Sequence, residues 1–225
     1  MNIVVLANGC WDPEWGKKAL GKADYLICAD GGANHALNSG YTPHQLIGDL
    51  DSVSRETLTL CRKAGCSIEQ FPREKDETDL ELALLRAKEK ALAEGERDIW
   101  LYGATGKRID HFMGNLALML GYARQGIRIR LVDPEHEMWV LQGQEEFLTF
   151  KGQELSLLAL SERAVVSTRG LYYPLEHGAL RQDVPRGVSN VCLGESVGIE
   201  VHEGWVLVVA LAGGCDLRRS PQRRR

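Results

Sequence analysis

Gln45-Leu46-Ile47-Gly48-Asp49-Leu50-Asp51-Ser52 is the stretch that decides the fold. A short run ends in a glycine and is followed at once by two carboxylates one residue apart. Alternate residues leaving a strand point the same way, so Asp49 and Asp51 are expected on one side of the strand end. The same form recurs on either side. Residues 25–29 run into Asp30-Gly31-Gly32, and residues 67–71 lead towards Lys75-Asp76-Glu77-Thr78-Asp79. With further strand-length runs at residues 3–6, 99–102 and 127–132, and stretches of helical period between them, the pattern is that of a mostly parallel α/β sheet.

Two helices stand out. Residues 78–92 place Leu80, Leu84, Ala87 and Ala91 on one stripe, with Asp79 in the first turn. Residues 112–124 carry Leu116, Met119, Leu120 and Ala123, and are expected to begin just after Asp110. After Asp133-Pro134 the rhythm changes to strand-length runs at 138–141, 155–160, 164–168, 198–201 and 206–211, with Gly and Pro turns between. These predict a small β-sandwich. The expected organisation is an α/β domain over residues 1–135, a β-sandwich over 136–215 and an Arg-rich, solvated tail over 216–225.

The net charge is −4, but five arginines lie between Arg218 and Arg225, so the body of the chain is more acidic than that total suggests. Such a body argues against a nucleic-acid ligand and for a cationic small molecule or metal-bound phosphates. The six cysteines form no C-x-x-C pair and no His spacing completes a zinc site, which predicts reduced thiols. The start, Met1-Asn2-Ile3-Val4-Val5, reads directly as a strand, with no secretory signal and no apolar run of transmembrane length. A cytoplasmic protein is expected, with no membrane partner.

Five aspartates, Asp30, Asp49, Asp51, Asp76 and Asp79, fall in three short clusters at expected strand ends. Carboxylates gathered without a cation repel one another and raise each other's pKa, so the arrangement predicts a bound divalent ion, magnesium above all, facing phosphate. Each cluster also has a plainer use. Asp30-Gly31-Gly32 makes a turn, and Asp76 and Asp79 favour the positive end of a helix. A second element, Gly103-Ala104-Thr105-Gly106-Lys107-Arg108-Ile109-Asp110-His111, follows a strand and leads into a helix. Backbone amides in such a loop bind anions, Arg108 offers a planar fork and Lys107 a point charge. It matches neither the Walker A pattern nor G-x-G-x-x-G. Asp110 could only cap its helix and His111 could be structural.

In order along the chain, DGG at Asp30, GDLDS at Gly48, DETD at Asp76, GATGKRIDH at Gly103, and then GLYYPL at Gly170 and GVSN at Gly187 resemble the thiamin pyrophosphokinase family. The resemblance covers nearly the whole chain apart from the tail. It implies an α/β catalytic domain, a β-sandwich, a homodimer with active sites between subunits, and the reaction of ATP with thiamin to give thiamin diphosphate and AMP. By that likeness Asp49, Asp51 and Asp79 hold magnesium with Asp76 beside them, and Arg108 clamps phosphate. Asp30, Gly31 and Gly32 help hold nucleotide or metal, Gly103, Thr105, Gly106, Lys107, Asp110 and His111 line the nucleotide site, and either Asp51 or Asp79 takes the hydroxyl proton. In the second part, Tyr173 is expected to stack on thiamin, although some relatives carry Trp there, while Ser189 and Asn190 bond the aminopyrimidine edge.

The same residues admit three other functions. Asp49-Leu50-Asp51 also fits the D-x-D of haloacid dehalogenase-like phosphatases, where the first Asp forms a phosphoenzyme. That class puts its motif on the first strand and leaves the Gly103 loop without a role. The others are a non-catalytic nucleotide or thiamin sensor, and a related enzyme whose acceptor is a hydroxymethyl pterin.

Overall fold

The computed structural model describes residues 1–212, so the Arg-rich tail and Cys215 lie outside the described residues. The chain forms two compact units divided after Pro134.

The first unit is a parallel sheet of β1 (Ile3–Leu6), β2 (Tyr25–Ala29), β3 (Gln45–Gly48), β4 (Ser67–Gln70), β5 (Asp98–Tyr102) and β6 (Arg128–Val132). Their order is β6-β5-β1-β2-β3-β4. The helices are α1 (Pro13–Leu20), α2 (Gly32–Asn38), α3 (Arg55–Lys63), α4 (Asp79–Ala93) and α5 (Ile109–Ala123). Helices cover the sheet, so β1 is buried along its whole length and reads as an unbroken apolar run. β4 lies at the edge and is polar, as an edge strand should be.

From β1 to β4 the chain steps outward strand by strand. α4 then packs across β3, β2 and β1, so β5 joins the sheet on the other side of β1. That reversal between β1 and β5 is a topological switch point, where strand ends open a crevice to ligands. α4 forms where the sequence predicts it. The Thr78 hydroxyl caps it by accepting from the Glu81 amide at 3.1 Å, and Leu80, Ala83, Leu84, Ala87 and Ala91 are buried. Burial of Leu80 and Leu84 is worth about 1.5–3 kcal/mol each.

α5 begins at Ile109, three residues before the apolar period becomes visible. Arg108 is the extended N-cap residue, and the Phe112 amide closes the first turn on its carbonyl at 3.1 Å. Asp110 therefore sits inside the first turn and does not precede the helix. The exposed side chains of Ile109, Asp110 and His111 hide that turn from a periodicity reading.

The second unit contains β7 (His136–Leu148), β8 (Glu154–Ala159), β9 (Arg163–Arg169), β10 (Gly178–Arg181), β11 (Asn190–Val191) and β12 (Ser196–Leu211). The runs at 198–201 and 206–211, expected as separate strands, are one bulged strand. Its first half pairs with β9 and the end of β7, its second with β8 and the start of β7. Val197, Ile199 and Val201 face the core before the bulge, and Val206, Val208 and Ala210 after it. The parity of the inward positions changes across the bulge, where Gly204 adopts φ 80°. Both halves thus cover one sandwich core with Trp139, Phe147, Leu157 and Val166.

Candidate active site

Asp30, at the end of β2, Asp49, just past β3, and Asp79, first residue of α4, each bring a carboxylate oxygen within 4.8 Å of the others. Gly48 makes the approach possible. A Cβ there would lie 3.1 Å from both Asp30 Cβ and Asp79 Cγ, and its φ of 150° is one that L side chains rarely adopt. Asp30 itself is held at φ 45°, and its amide donates to the Ile47 carbonyl at 2.8 Å. Burial pushes the Asp30 carboxyl above its ordinary pKa and the charge of Asp79 adds to this, against opposing donors from Ser52 and Gly31.

Two oxygens of the group, Asp30 Oδ1 and Asp79 Oδ1, are buried without a hydrogen bond. Lys75 Nζ does lie 2.9 Å from Asp79 Oδ1, but as an ion pair without hydrogen-bond alignment. Buried acceptors are rarely left this way, and hard oxygen donors so placed suit a divalent cation.

Asp51 and Asp76 lie outside this group. Strand alternation does not carry through to Asp51, because Leu50 sits at φ 67° between the two carboxylates. The Asp51 amide instead donates to Asp49 Oδ1 at 3.0 Å, and Asp51 Oδ2 lies 3.8 Å from Arg73 Nε. Asp76 is exposed. Gly31 and Gly32 are buried and serve close packing. A Cβ on Gly32 would strike the Leu6 carbonyl, and one on Gly31 the Asn8 side chain.

The loop after β5 is tied back by its carbonyls. Those of Gly103, Ala104 and Thr105 accept from the Gly9 amide at 2.6 Å, Asn115 Nδ2 at 2.9 Å and the Cys10 amide at 2.7 Å. Groups that would repel a phosphate are thereby occupied, and Gly103 needs its φ of 63° for the turn. Arg108 and Asp110 form a two-pronged exposed pair, with Nε to Oδ1 at 2.9 Å and Nη2 to Oδ2 at 2.5 Å. That pair holds the Asp110 carboxyl well below the usual carboxylate range. Thr105 is half-buried, and Lys107 and His111 are exposed.

Several contributors were missed in the sequence. Asn8, Gly9 and Cys10 follow β1 at the switch point, and their position after a parallel strand was the available signal. Asn34 staples α2 to the acidic loop, donating to the Ser52 carbonyl at 2.8 Å and accepting from the Ser54 amide at 3.0 Å. Asn115 and Lys75 carried no such signal.

In the second unit, Asn190 Oδ1 accepts from the Tyr173 and Val191 amides at 3.0 and 2.9 Å, while its Nδ2 donates to the Tyr173 carbonyl at 2.7 Å. The side chain expected to read a pyrimidine edge is thus largely engaged in fixing the Tyr173 backbone. Tyr172 and Tyr173 meet edge to face at 4.8 Å, both exposed. Ser189 sits at φ 55° with its amide on Ser156 Oγ at 3.0 Å, and its side chain is exposed.

A family model described as "Thiamin pyrophosphokinase, catalytic domain" matches residues 17–131, and one described as "Thiamin pyrophosphokinase, vitamin B1 binding domain" matches residues 135–206. Thiamine pyrophosphokinase of Bacillus subtilis is 35% identical over 112 residues, 50% of each chain, so that alignment spans about half of the relative. Thiamine pyrophosphokinase 1 of Arabidopsis thaliana is 25% identical over 214 residues, 85% of this chain and 80% of the relative. Among solved structures, the B. subtilis thiamine pyrophosphokinase superposes with TM-score 0.81 at 25% identity, covering 94% of this chain and 99% of that one. The thiamin pyrophosphokinase of Geobacillus thermodenitrificans gives 0.76 at 27%, covering 94% and 98%. Neither the phosphatase nor the sensor function is favoured by these matches. With family models spanning both units, and carboxylates meeting beyond the ends of β2 and β3 in the first, the chain belongs to the thiamin pyrophosphokinase family.

Proposed function

We propose that this chain transfers the diphosphoryl group of ATP to the hydroxyl of thiamin, releasing AMP. The observation that carries this is the meeting of Asp30, Asp49 and Asp79, two of them with buried, unbonded oxygens. The donor set suits magnesium, which when bound neutralises charge on the phosphate oxygens.

The remaining work falls to the chain's own groups. Amides of the Gly103–Gly106 loop receive the phosphates, and Arg108 turns from Asp110 to the phosphoryl oxygens, where charge builds as the bond to AMP breaks. The thiamin hydroxyl oxygen bonds to the β-phosphorus in line with the departing α-phosphate oxygen of AMP. Its proton passes to Asp51, which stands outside the acidic group and keeps an exposed carboxylate. Tyr173 and Ser189 face thiamin, and Asn190 positions Tyr173.

The proposal includes a homodimer in the cytoplasm. In its support, α5 leaves Ile109 73% and Met113 59% exposed, apolar surface that a second copy could cover. Light scattering at micromolar concentration distinguishes monomer from dimer. The activity is tested with purified protein, ATP, magnesium and thiamin, resolving nucleotides by chromatography. AMP formation dependent on both thiamin and the metal is expected, and ADP as the main product overturns the proposal.

A further inference from the structure

Lys75 is the one element of the acidic site that neither strand ends nor the proposed chemistry account for. Its side chain is only 12% exposed, unusual for a lysine, and its ammonium lies 2.9 Å from Asp79 Oδ1 and 3.1 Å from the Pro72 carbonyl. Asp79 Oδ1 belongs to the carboxylate that approaches Asp30 and Asp49, and no described residue hydrogen-bonds it, so the ion pair with Lys75 is what meets its charge. A largely covered ammonium on one oxygen of a three-carboxylate group answers the same electrostatic demand that a divalent ion answers there.

We propose that Lys75 is an internal counter-cation for Asp79, and that a divalent ion must displace it to load the site. This rests on the metal reading of Asp30, Asp49 and Asp79 given above. Both cations seek the same carboxylate, and their proximity would be repulsive, so metal entry and release of the Lys75 ammonium from Asp79 are one exchange. Three consequences follow. The metal-free fold is stabilised by Lys75. Metal binding without nucleotide is weaker than the three carboxylates alone would give. Once displaced, the ammonium remains tethered to the site by the short segment before α4, available to an arriving phosphate as a point charge.

The test needs no turnover. Mn²⁺ binding to the nucleotide-free protein is measured from the electron paramagnetic resonance signal of the free ion, for wild type, Lys75→Met, Lys75→Gln and Asp49→Asn. Thermal unfolding is followed in parallel in EDTA and in excess Mn²⁺. Lys75→Met and Lys75→Gln are expected to bind Mn²⁺ about tenfold more tightly than wild type. They should also melt at lower temperature in EDTA and recover with Mn²⁺. Unchanged or weaker Mn²⁺ binding in both variants overturns the exchange, even if their melting temperatures fall. Asp49→Asn separates the two levels. If it abolishes wild-type Mn²⁺ binding, the metal site stands whatever the Lys75 variants do. If neither wild type nor the Lys75 variants bind Mn²⁺, or Asp49→Asn binds it normally, the metal site itself fails and the exchange with it.

Discussion

The acidic group of the first unit and the Tyr173 segment of the second differ in how they use polar atoms. Around Asp30, Asp49 and Asp79 the fold leaves acceptors buried and unbonded, and holds backbone in unusual conformations to do so. Around Tyr173, the Asn190 amide engages both of its ends with backbone, and the aromatic faces stay exposed. A group kept short of partners costs stability until something arrives to satisfy it. A segment whose polar atoms are satisfied internally can offer a ligand mainly surface and shape. Chemistry is therefore expected from the first region and recognition from the second, and substitutions in each should separate kcat from KM.

The largest effect belongs to Asp79. Asp79→Asn removes the charge that meets both partner carboxylates and Lys75, and should lower kcat for AMP formation on the order of 10²–10³-fold with the fold intact by circular dichroism. Near-normal kcat would remove the contrast between the regions. Gly48→Ala comes next, because it changes no polar atom yet puts a methyl group between Asp30 and Asp79. Strain at this φ and the close contacts should cost about 1–3 kcal/mol in urea unfolding, with activity falling alongside. A fully stable Gly48→Ala protein would mean that the aspartates can spread at no cost.

How much of this could be read in advance depends on which physical constraint left a mark on composition. Strands β1 and β2, and β3 after Gln45, were legible because burial on both faces demands apolar residues, and α4 because its apolar stripe keeps helical spacing with Asp79 in the first turn. Asp30, Asp49 and Asp79 were legible as strand-end carboxylates beside glycine or at a helix start. The departure of Asp51 was not, since the positive φ falls on Leu50, a residue type that gives no warning of it. The joining of two runs into β12 was hidden because Gly204 looks like a turn when it marks a bulge. Asn190 looked like a ligand group because an amide's partners depend on contacts 17 residues away. Lys75 gives no sign of its role, since lysine between acidic residues ordinarily reads as a solvated charge.

Asn190→Ala sharpens the other half of the comparison. It deletes three hydrogen bonds at a half-buried position and should destabilise by about 1–3 kcal/mol. If the segment serves recognition, the KM for thiamin should rise about tenfold while kcat at saturating thiamin changes little. A kcat loss comparable to that of Asp79→Asn would instead draw Asn190 into the chemistry.

The smallest effect is expected at Asp110, and its sign is informative. Arg108 is bound by both prongs to Asp110, yet the proposed reaction asks the same guanidinium to meet phosphate. Both side chains are exposed, so breaking the pair should leave thermal stability within error. What changes is the competition for Arg108. Asp110→Asn should lower the KM for ATP about two- to threefold at low ionic strength, with the advantage fading as salt screens the pair in wild type. A rise in KM would show the opposite arrangement, in which Asp110 aims Arg108 at the phosphate and the exposed pair belongs to the working site as it stands.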